Sequence, residues 1–365
     1  MINDVEAVSA STCNKSQLAL IDLFDNIKRN RVWELDDKDF GRSNGWLRHY
    51  ADRRRGFEQW KVDQTLSRFP MKAIVLAGGA GSRLYPLTKV SSKQLQAVFD
   101  KPMIYYPLTV LIASGINELC VISTAQDLQR YKDLLGDGRQ WGVEIQYREQ
   151  STPEGIAQAF LIAADFIASD AVILMLGDNI FSGGDDFPRA VSGFTDGATI
   201  FAYHVKDPER YGVVEFDRNG KAISIEEKPR HPKSSYAVPG VYIYDNNVLE
   251  IARAVKPSVR GELEITDVNL EYLRRGKLQV RRLSRGFAWL DAGTSTALHE
   301  ASSYIEAIER RQGIKIGCPE EAALVRGFLN IGQFEALIDR MPTCEYSAYL
   351  RGVADEWHRL QGHDQ

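Results

Sequence analysis

The stretch Met71-Lys-Ala-Ile-Val-Leu-Ala-Gly-Gly-Ala-Gly-Ser-Arg-Leu-Tyr-Pro-Leu-Thr-Lys-Val-Ser-Ser-Lys-Gln-Leu95 joins an apolar run, a glycine-rich loop and two cationic side chains. The apolar run, Ala73 to Ala77, has the length and composition of a buried strand in a parallel sheet. Gly78, Gly79 and Gly81 permit backbone conformations and close approaches that side chains would prevent. Because successive backbone N–H groups in such a loop form an anion-binding concavity, the stretch predicts a phosphate-binding loop at the end of a central strand.

Two cations after the glycines strengthen this interpretation. Arg83 offers a planar fork for phosphate oxygens, and Lys93 supplies a compact point charge. Two better-known loops do not fit, because the dinucleotide-binding fingerprint requires a glycine where Leu84 stands and a Walker loop requires a lysine beside Gly81. A tight turn between a strand and a helix remains the alternative for the glycines taken alone.

From Met71 onward, short apolar runs alternate with helical patterns. Leu119 to Ser123 precedes a helical pattern at Leu128 to Leu135, and Ala171 to Leu176 forms another apolar run before a loop. This alternation predicts an α/β fold with a mostly parallel, Rossmann-like sheet and helices on both faces. In such sheets, ligands bind beyond the carboxyl ends of the strands. Thr296 to Arg311 predicts the first of several C-terminal helices.

The chain of 365 residues is predicted to have three parts. Residues 1–70 contain Trp33, Trp46 and Trp60 but no strand alternation, and they are interpreted as an N-terminal extension of unknown role. Residues 71–294 form the main domain, and residues 295–365 form a C-terminal helical segment. An open alternative is that Met71 is the natural start of the protein.

Composition excludes several classes of protein. The net charge of −4 argues against non-specific nucleic-acid binding, and no apolar run approaches the roughly 20 residues that a membrane helix needs. The six histidines have no metal-binding spacing and no nucleophile partner, so a hydrolytic triad is not indicated. The cysteines form no CxxC pair, which favours reduced thiols in the cytoplasm. These cysteines are Cys13, Cys120, Cys318 and Cys344.

Together with the glycine loop, a series of short segments resembles the sugar-1-phosphate nucleotidylyltransferase family, and the glucose-1-phosphate thymidylyltransferases in particular. The resemblance extends from Met71 to about the last twenty residues. The segments, in chain order, are Lys101–Pro107, Ile122–Thr124, Leu135–Gly138, Leu176–Asn179, Glu209–Phe216, Glu226–Pro229, Gly261–Asp267 and Trp289–Thr294. The resemblance implies that residues 71–294 are a nucleotidyltransferase catalytic domain.

Two aspartates are candidate metal ligands. Asp178 follows an apolar strand almost directly, and Asp291 follows an apolar and aromatic run. Mg²⁺ is usually held by one or two carboxylates together with substrate phosphates. Each aspartate alone could equally be an ordinary cap or turn residue, but the resemblance assigns the pair to Mg²⁺.

The resemblance also implies a nucleotide-binding set. Gln150 matches the glutamine that contacts the pyrimidine, and its amide cannot distinguish thymine from uracil because both rings present the same edge. The complete set is Leu76, Gly78, Gly79, Gly81, Ser82, Arg83, Gln150, Gly155 and Asp178.

A second set is implied for the sugar phosphate. Glu227 matches a residue that contacts sugar hydroxyls, and Lys228 matches one that contacts the phosphate. Tyr211, Gly212 and Val238 complete the predicted pocket. The next residue, a proline at position 239, departs from the pattern of the family, and proline lacks a backbone donor.

The implied reaction transfers a thymidylyl group from dTTP to α-D-glucose 1-phosphate, giving dTDP-glucose and pyrophosphate for deoxysugar and cell-surface polysaccharide synthesis. Arg83, Lys93 and Lys228 are the predicted catalytic residues. The resemblance further implies a homotetramer with nucleotide-sugar feedback inhibition. Two alternatives remain: an enzyme specific for UTP or another hexose phosphate, and a non-catalytic regulatory subunit of the same fold. The loop sequence disfavours a nicotinamide dehydrogenase.

Overall fold

The computed structural model describes residues 70–79 and 81–362. The extension predicted for residues 1–70 lies outside this range except for its last residue. The strands are β1 (Met71–Leu76), β2 (Ala97–Val98), β3 (Lys101–Pro102), β4 (Glu118–Ser123), β5 (Glu144–Glu149), β6 (Ala171–Leu176), β7 (Asn179–Ser182), β8 (Ala198–His204), β9 (Gly212–Phe216), β10 (Ala222–Glu227), β11 (Tyr236–Ala237), β12 (Val241–Tyr244), β13 (Leu278–Arg282) and β14 (Ala288–Asp291).

The α-helices are α1 (Tyr105–Ala113), α2 (Ala125–Leu135), α3 (Gln158–Ile162), α4 (Ala164–Ile167), α5 (Asp186–Ser192), α6 (Val248–Ala254), α7 (Ile265–Arg274), α8 (Ser295–Gln312), α9 (Pro319–Arg326), α10 (Ile331–Ile338) and α11 (Glu345–Gly362). Short 3₁₀ turns at Ser82–Leu84, Leu87–Lys89 and Lys93–Leu95 follow the glycine loop. The helix predicted at Thr296 to Arg311 is confirmed as α8. Among the described residues, no helix is both long and apolar enough to cross a bilayer.

The main sheet has the order β10-β9-β11-β8-β12-β6-β1-β4-β5, and β13 pairs with β8 outside this path. β1 is parallel to both β4 and β6, and β5 is parallel to β4. β12 is antiparallel to β6 and β8, and the β9–β10 hairpin continues the antiparallel part. The predicted α/β class is confirmed. The predicted mostly parallel arrangement holds for β6, β1, β4 and β5, whereas the half from β10 to β12 is largely antiparallel, a feature that the apolar runs alone did not reveal.

The order of the central strands fixes where the glycine loop lies. The chain moves from β1 to β4 and then to β5 on one side, whereas β6 returns to the other side of β1. Parallel crossovers are right-handed, so connections that run in opposite directions place their helices on opposite faces of the sheet. The loop after β1 therefore lies at the point where strand order reverses, which is where open α/β sheets bind ligands.

The larger hydrophobic core lies between the sheet and helices α3, α4, α6 and α7. A second core joins the β2–β3 hairpin, α1, strands β7 and β14, and α8. Its buried members are Val98, Met103, Tyr106, Ile180, Ala292, Ala301 and Ile305. The second core therefore packs the β7–β14 pair together with α1, α8 and the β2–β3 hairpin, which follows the connection that carries Lys93.

A buried ionic cluster fastens α8 to the same hairpin. Nζ of Lys101 lies 2.9 Å from Oε1 of Glu309 and 2.5 Å from Oδ1 of Asp100, and Nζ of Lys315 lies 2.9 Å from Oε2 of Glu309. Lys315 also pairs with Asp100. Removing one member would leave a buried charge without its partner, which is far more destabilising than losing an exposed pair.

Candidate active site

The glycine loop turns sharply after β1. The backbone angle φ is +97° at Gly79 and +55° at Gly81, values that side chains rarely allow. The carbonyl of Gly81 accepts hydrogen bonds from the backbone N–H of Leu84 at 2.9 Å and from Oγ1 of Thr88 at 3.0 Å. These contacts start the 3₁₀ turn that presents Ser82 and Arg83, both exposed to solvent.

Gln150 lies directly against the loop. A methyl group added to Gly78 would overlap Oε1 of Gln150, so a side chain at this position would displace the amide of Gln150. The backbone N–H of Gln150 donates to the carbonyl of Ser123 at 2.7 Å, and its Nε2 donates to Oε1 of Gln158 at 2.6 Å. Gln150 is therefore buried and held in place beside the predicted phosphate loop, and its contact with a nucleobase stays a prediction.

Strands β7 and β14 bring the two candidate metal ligands together. The strands are antiparallel, and their register places Asp291 opposite Asn179, the residue after Asp178. The backbone N–H of Ala292 donates to the carbonyl of Asp178 at 3.3 Å. The loop expected after β6 is only a two-residue turn. The strand pairing makes Asp178 and Asp291, which are far apart in sequence, neighbours in the structure.

Asp178 is paired with Lys93. Both side chains are largely buried, with 16% and 13% exposure, and they form an ion pair. Burial raises the pKa of Asp178, but the charge and hydrogen bond of Lys93 outweigh it, so the pKa lies below the usual value and the carboxylate is ionised. Nδ2 of Asn179 also donates to Oδ1 of Asp178 at 3.0 Å.

Asn179 connects three parts of the site. Besides its bond to Asp178, its Oδ1 accepts from the backbone N–H of Gly240 at 3.0 Å and from Nε1 of Trp289 at 2.7 Å. The segment around the predicted sugar pocket and strand β14 are therefore both tied to the turn that carries Asp178. Asn179 was not among the predicted site residues, although it lies in a segment that carries the family resemblance.

Asp291 has a different environment. Its pKa is raised, first by burial and then by the negative charge of Asp178, with Lys93 and Arg83 opposing the shift. A methyl group on Gly293 would lie 3.1 Å from Oδ1 of Asp291 and 3.2 Å from Nη2 of Arg83, so both groups flank this glycine. The structure thus brings Arg83, Lys93 and both aspartates to one place.

The predicted sugar-phosphate residues gather at the adjoining ends of β9 and β10. Oε2 of Glu227 accepts a hydrogen bond from Oγ1 of Thr266 at 2.6 Å, and its Oε1 lies 3.5 Å from Nη2 of Arg260. The backbone N–H of Val238 donates to the carbonyl of Gly212 at 2.8 Å. A methyl group on Gly212 would lie 3.3 Å from Oε2 of Glu227, so the glycine keeps space open beside the carboxylate.

Lys228 has an unusual backbone. Its φ is +45°, one of three positive values at non-glycine residues in the described part of the chain. Its N–H donates to the carbonyl of Tyr211 at 3.0 Å, which fixes the turn. The side chain is about half exposed, and Nζ lies 3.8 Å from Oε1 of Glu227. Such strained residues cluster at functional sites, where the surrounding structure maintains them.

Local contacts explain the environments of Tyr211, Gly155 and Pro239. The ring of Tyr211 packs against Trp289, with centroids 4.9 Å apart, and its pKa is raised to about 12 by burial and by the charge of Asp291. Gly155 has a φ of +109°, and a side chain there would overlap the backbone of Leu263. This packing accounts for the glycine, and a role in nucleotide binding stays a prediction. The N–H groups on both sides of Pro239 are already bonded within the protein.

The donor set fits a divalent cation that prefers oxygen. Two neighbouring carboxylates are what Mg²⁺ uses when phosphates supply the remaining oxygens. The described residues contain no cluster of three or more acidic, histidine or cysteine side chains that could hold a metal by themselves. The pair therefore suits a metal that enters with a polyphosphate rather than a permanent structural metal.

Comparisons with known proteins identify the family of the chain. A family model described as Nucleotidyl transferase matches residues 72–308. A glucose-1-phosphate thymidylyltransferase of Xanthomonas campestris pv. campestris (strain B100) is 52% identical over 285 residues, covering 78% of this chain and 97% of the relative. The enzyme of that name from Mycolicibacterium smegmatis is 52% identical over 288 residues, covering 78% of this chain and 99% of the relative.

A solved structure is also similar. A Bacillus anthracis protein described as a glucose-1-phosphate thymidylyltransferase, in complex with a sucrose, matches with a TM-score of 0.62 and 42% identity, over 68% of this chain and 98% of its own. A UDP-glucose pyrophosphorylase with a TM-score of 0.58 and 22% identity shares the fold.

The chain belongs to the nucleotidyl transferase family. Its relatives at about half identity are glucose-1-phosphate thymidylyltransferases, which confirms the resemblance and the enzyme class predicted from the sequence.

Sequence reasoning missed several residues that shape the site. Thr266 and Arg260 contact Glu227, and Arg210 approaches Asp291. Each lies in or beside a segment already quoted for the resemblance, but only the tertiary structure shows which carboxylate it meets.

Proposed function

We propose that this protein catalyses the reaction of dTTP with α-D-glucose 1-phosphate to give dTDP-glucose and pyrophosphate. An oxygen of the sugar phosphate attacks the α-phosphorus, and the bond to the β-phosphate oxygen breaks as pyrophosphate leaves. That attacking oxygen is already anionic near neutral pH. The protein therefore has to position two polyanions and neutralise their charge, and it needs no general base.

The antiparallel pairing of β7 with β14 carries this proposal. It places Asp178 and Asp291 side by side next to Lys93, close to the loop that presents Arg83. A phosphate-binding loop, a carboxylate pair and two cations are the parts that phosphoryl and nucleotidyl transfer require.

Each chain residue then has a defined task. Arg83, exposed on the loop, would bind the departing pyrophosphate, and Lys93 would contact the triphosphate near the α-phosphorus. Lys228 would hold the attacking phosphate, and Glu227 would accept hydrogen bonds from sugar hydroxyls. Asp178 and Asp291 would hold Mg²⁺, which when bound neutralises negative charge on the phosphates.

Gln150 is the residue proposed to contact the thymine ring. Because thymine and uracil share the edge that an amide reads, selection of dTTP would need contacts with the methyl group as well. The reduced cysteines fit a cytoplasmic enzyme that supplies deoxysugar synthesis. A homotetramer and feedback inhibition by a nucleotide sugar belong to the same proposal.

The test is pyrophosphate release by the purified full-length protein with every pairing of dTTP or UTP with glucose 1-phosphate or another hexose 1-phosphate. We expect dTTP with glucose 1-phosphate to give the highest kcat/KM. Faster turnover with UTP, or with another sugar phosphate, would show that the proposed substrate is wrong. Absence of turnover with all pairs, in a folded protein, would favour a non-catalytic subunit.

A further inference from the structure

Arg210 lies beside the metal carboxylate Asp291 and has no part in the reaction proposed above. It ends a short 3₁₀ turn, Pro208–Arg210, directly before Tyr211. Its Nη2 lies 3.7 Å from Oδ2 of Asp291, and its Nη1 donates to Oδ2 of Asp207 at 2.6 Å. The guanidinium carbon lies 5.3 Å from the centre of the Tyr211 ring. Two neighbours thus hold the guanidinium while one edge faces Asp291.

The two carboxylates of the metal pair therefore have separate cations. Lys93 pairs with Asp178, and Arg210 pairs with Asp291. Two carboxylates this close repel each other, and a nearby cation on each relieves the repulsion. Lys93 and Arg83 also oppose the rise in the pKa of Asp291, but among the described residues Arg210 is the cation that forms an ion pair with its carboxylate.

We propose that Arg210 is a positioning residue that occupies the side of Asp291 facing the metal site, so that a divalent cation must displace its guanidinium in order to bind. This inference rests on the proposed function, because it takes Asp291 as a metal ligand. The side chain of Arg210 is 42% exposed, and its bond to Asp207 is independent of Asp291, so it can withdraw without leaving a buried charge unpaired. The metal then binds weakly by itself and more tightly when phosphates supply further oxygens and receive the released cations.

The test measures binding of Mn²⁺ alone, without nucleotide, from the loss of the free-ion electron paramagnetic resonance signal. Arg210→Gln should bind Mn²⁺ about three- to tenfold more tightly than the unaltered protein, since it removes a competing cation from a partly exposed ion pair. Arg210→Lys keeps the charge, and its affinity for Mn²⁺ should lie between those of Arg210→Gln and the unaltered protein. Mn²⁺ should also raise the melting temperature of Arg210→Gln more than that of the unaltered protein.

Arg189→Gln is the matched control, because Arg189 is an exposed arginine paired with Asp185, outside the proposed site, and its loss changes the net charge equally. Equal or weaker Mn²⁺ binding by Arg210→Gln, or equal tightening in Arg189→Gln, would overturn the inference. If Arg210→Gln does not fold, Arg210→Lys decides by the same comparison. Unchanged Mn²⁺ binding in Asp291→Asn would instead refute the metal assignment itself, so the two failures are distinguishable.

Discussion

The backbone of Lys228 offers a prediction about stability that does not depend on the proposed reaction. Its φ of +45° lies in the left-handed region, which costs a residue with a Cβ atom about 1 to 2 kcal/mol. Replacing Lys228 by alanine removes the charge and keeps this cost. Replacing it by glycine removes both the charge and the cost of the left-handed backbone. Glycine also makes the unfolded chain more flexible, which lowers the free energy of unfolding by about 0.5 to 1 kcal/mol relative to alanine.

The two effects oppose each other, and their sum sets the expected result. Lys228→Gly should be more stable than Lys228→Ala by roughly 0 to 1.5 kcal/mol. Lys206 is the matched position, since it is an exposed lysine in irregular structure that is not among the residues of positive φ. There, glycine should be less stable than alanine by about 0.5 to 1 kcal/mol.

The assay is urea unfolding of the four variants, with free energies compared as differences within each pair. Subtracting the Lys206 pair from the Lys228 pair cancels the unfolded-state contribution and leaves the backbone strain, about 1 to 2 kcal/mol. If glycine and alanine rank the same way by the same amount at both positions, Lys228 carries no strain and the reasoning is wrong. Both Lys228 variants should lose efficient use of the sugar phosphate.

Three other predictions concern the reaction and the limits of the domain. Asp178→Asn should fold but lose about 10³-fold or more in kcat, because an amide cannot neutralise a polyanionic transition state, and near-normal turnover at saturating Mg²⁺ would contradict the metal assignment. Lys228→Ala should chiefly reduce kcat/KM for the sugar phosphate, whereas Lys93→Ala should depress turnover with every nucleotide; matching kinetic profiles would refute the separate roles. A chain that begins at Met71 should fold and keep pyrophosphate release, since every proposed site residue follows it; a folded but inactive chain would mean that the preceding residues contribute to the site.

Local sequence was sufficient for the strands and loops that carry the site. The apolar run Ala171 to Leu176 forms β6 with those bounds, and Pro319 begins α9 as its restricted φ favours. The run Ala222 to Ile225 forms β10, which continues to Glu227. Such features depend on the spacing of apolar residues and on the conformations that glycine and proline favour. A short segment of sequence specifies both by itself.

Contacts between distant segments were beyond the reach of these patterns. The bond from Trp289 to Asn179 joins residues 110 positions apart, and the bond from Thr266 to Glu227 joins residues 39 positions apart. Both depend on the register of strands or on the packing of a helix against the sheet. The motifs indicated that these segments matter, but the partner of each side chain is decided by tertiary structure.

Lys228 shows a second kind of limit. A lysine gives no local signal for positive φ, because the conformation is imposed by the bond of its N–H to Tyr211 and by the end of β10. Positive φ at Gly79, by contrast, is expected from the residue type itself. The strained lysine is therefore a property of the assembled pocket, and the sequence placed a cation there without indicating that the backbone is strained.

The charges of the free site explain why substrate and metal binding should be coupled. Asp178 is neutralised by Lys93, the same cation that is proposed to contact the triphosphate, so this lysine cannot serve both anions fully at once. A divalent cation on the aspartates would release Lys93 toward the phosphates, while the phosphates would supply oxygens that two carboxylates alone do not provide. Each event therefore favours the other, and by linkage the metal must tighten nucleotide binding by the same factor as the nucleotide tightens metal binding.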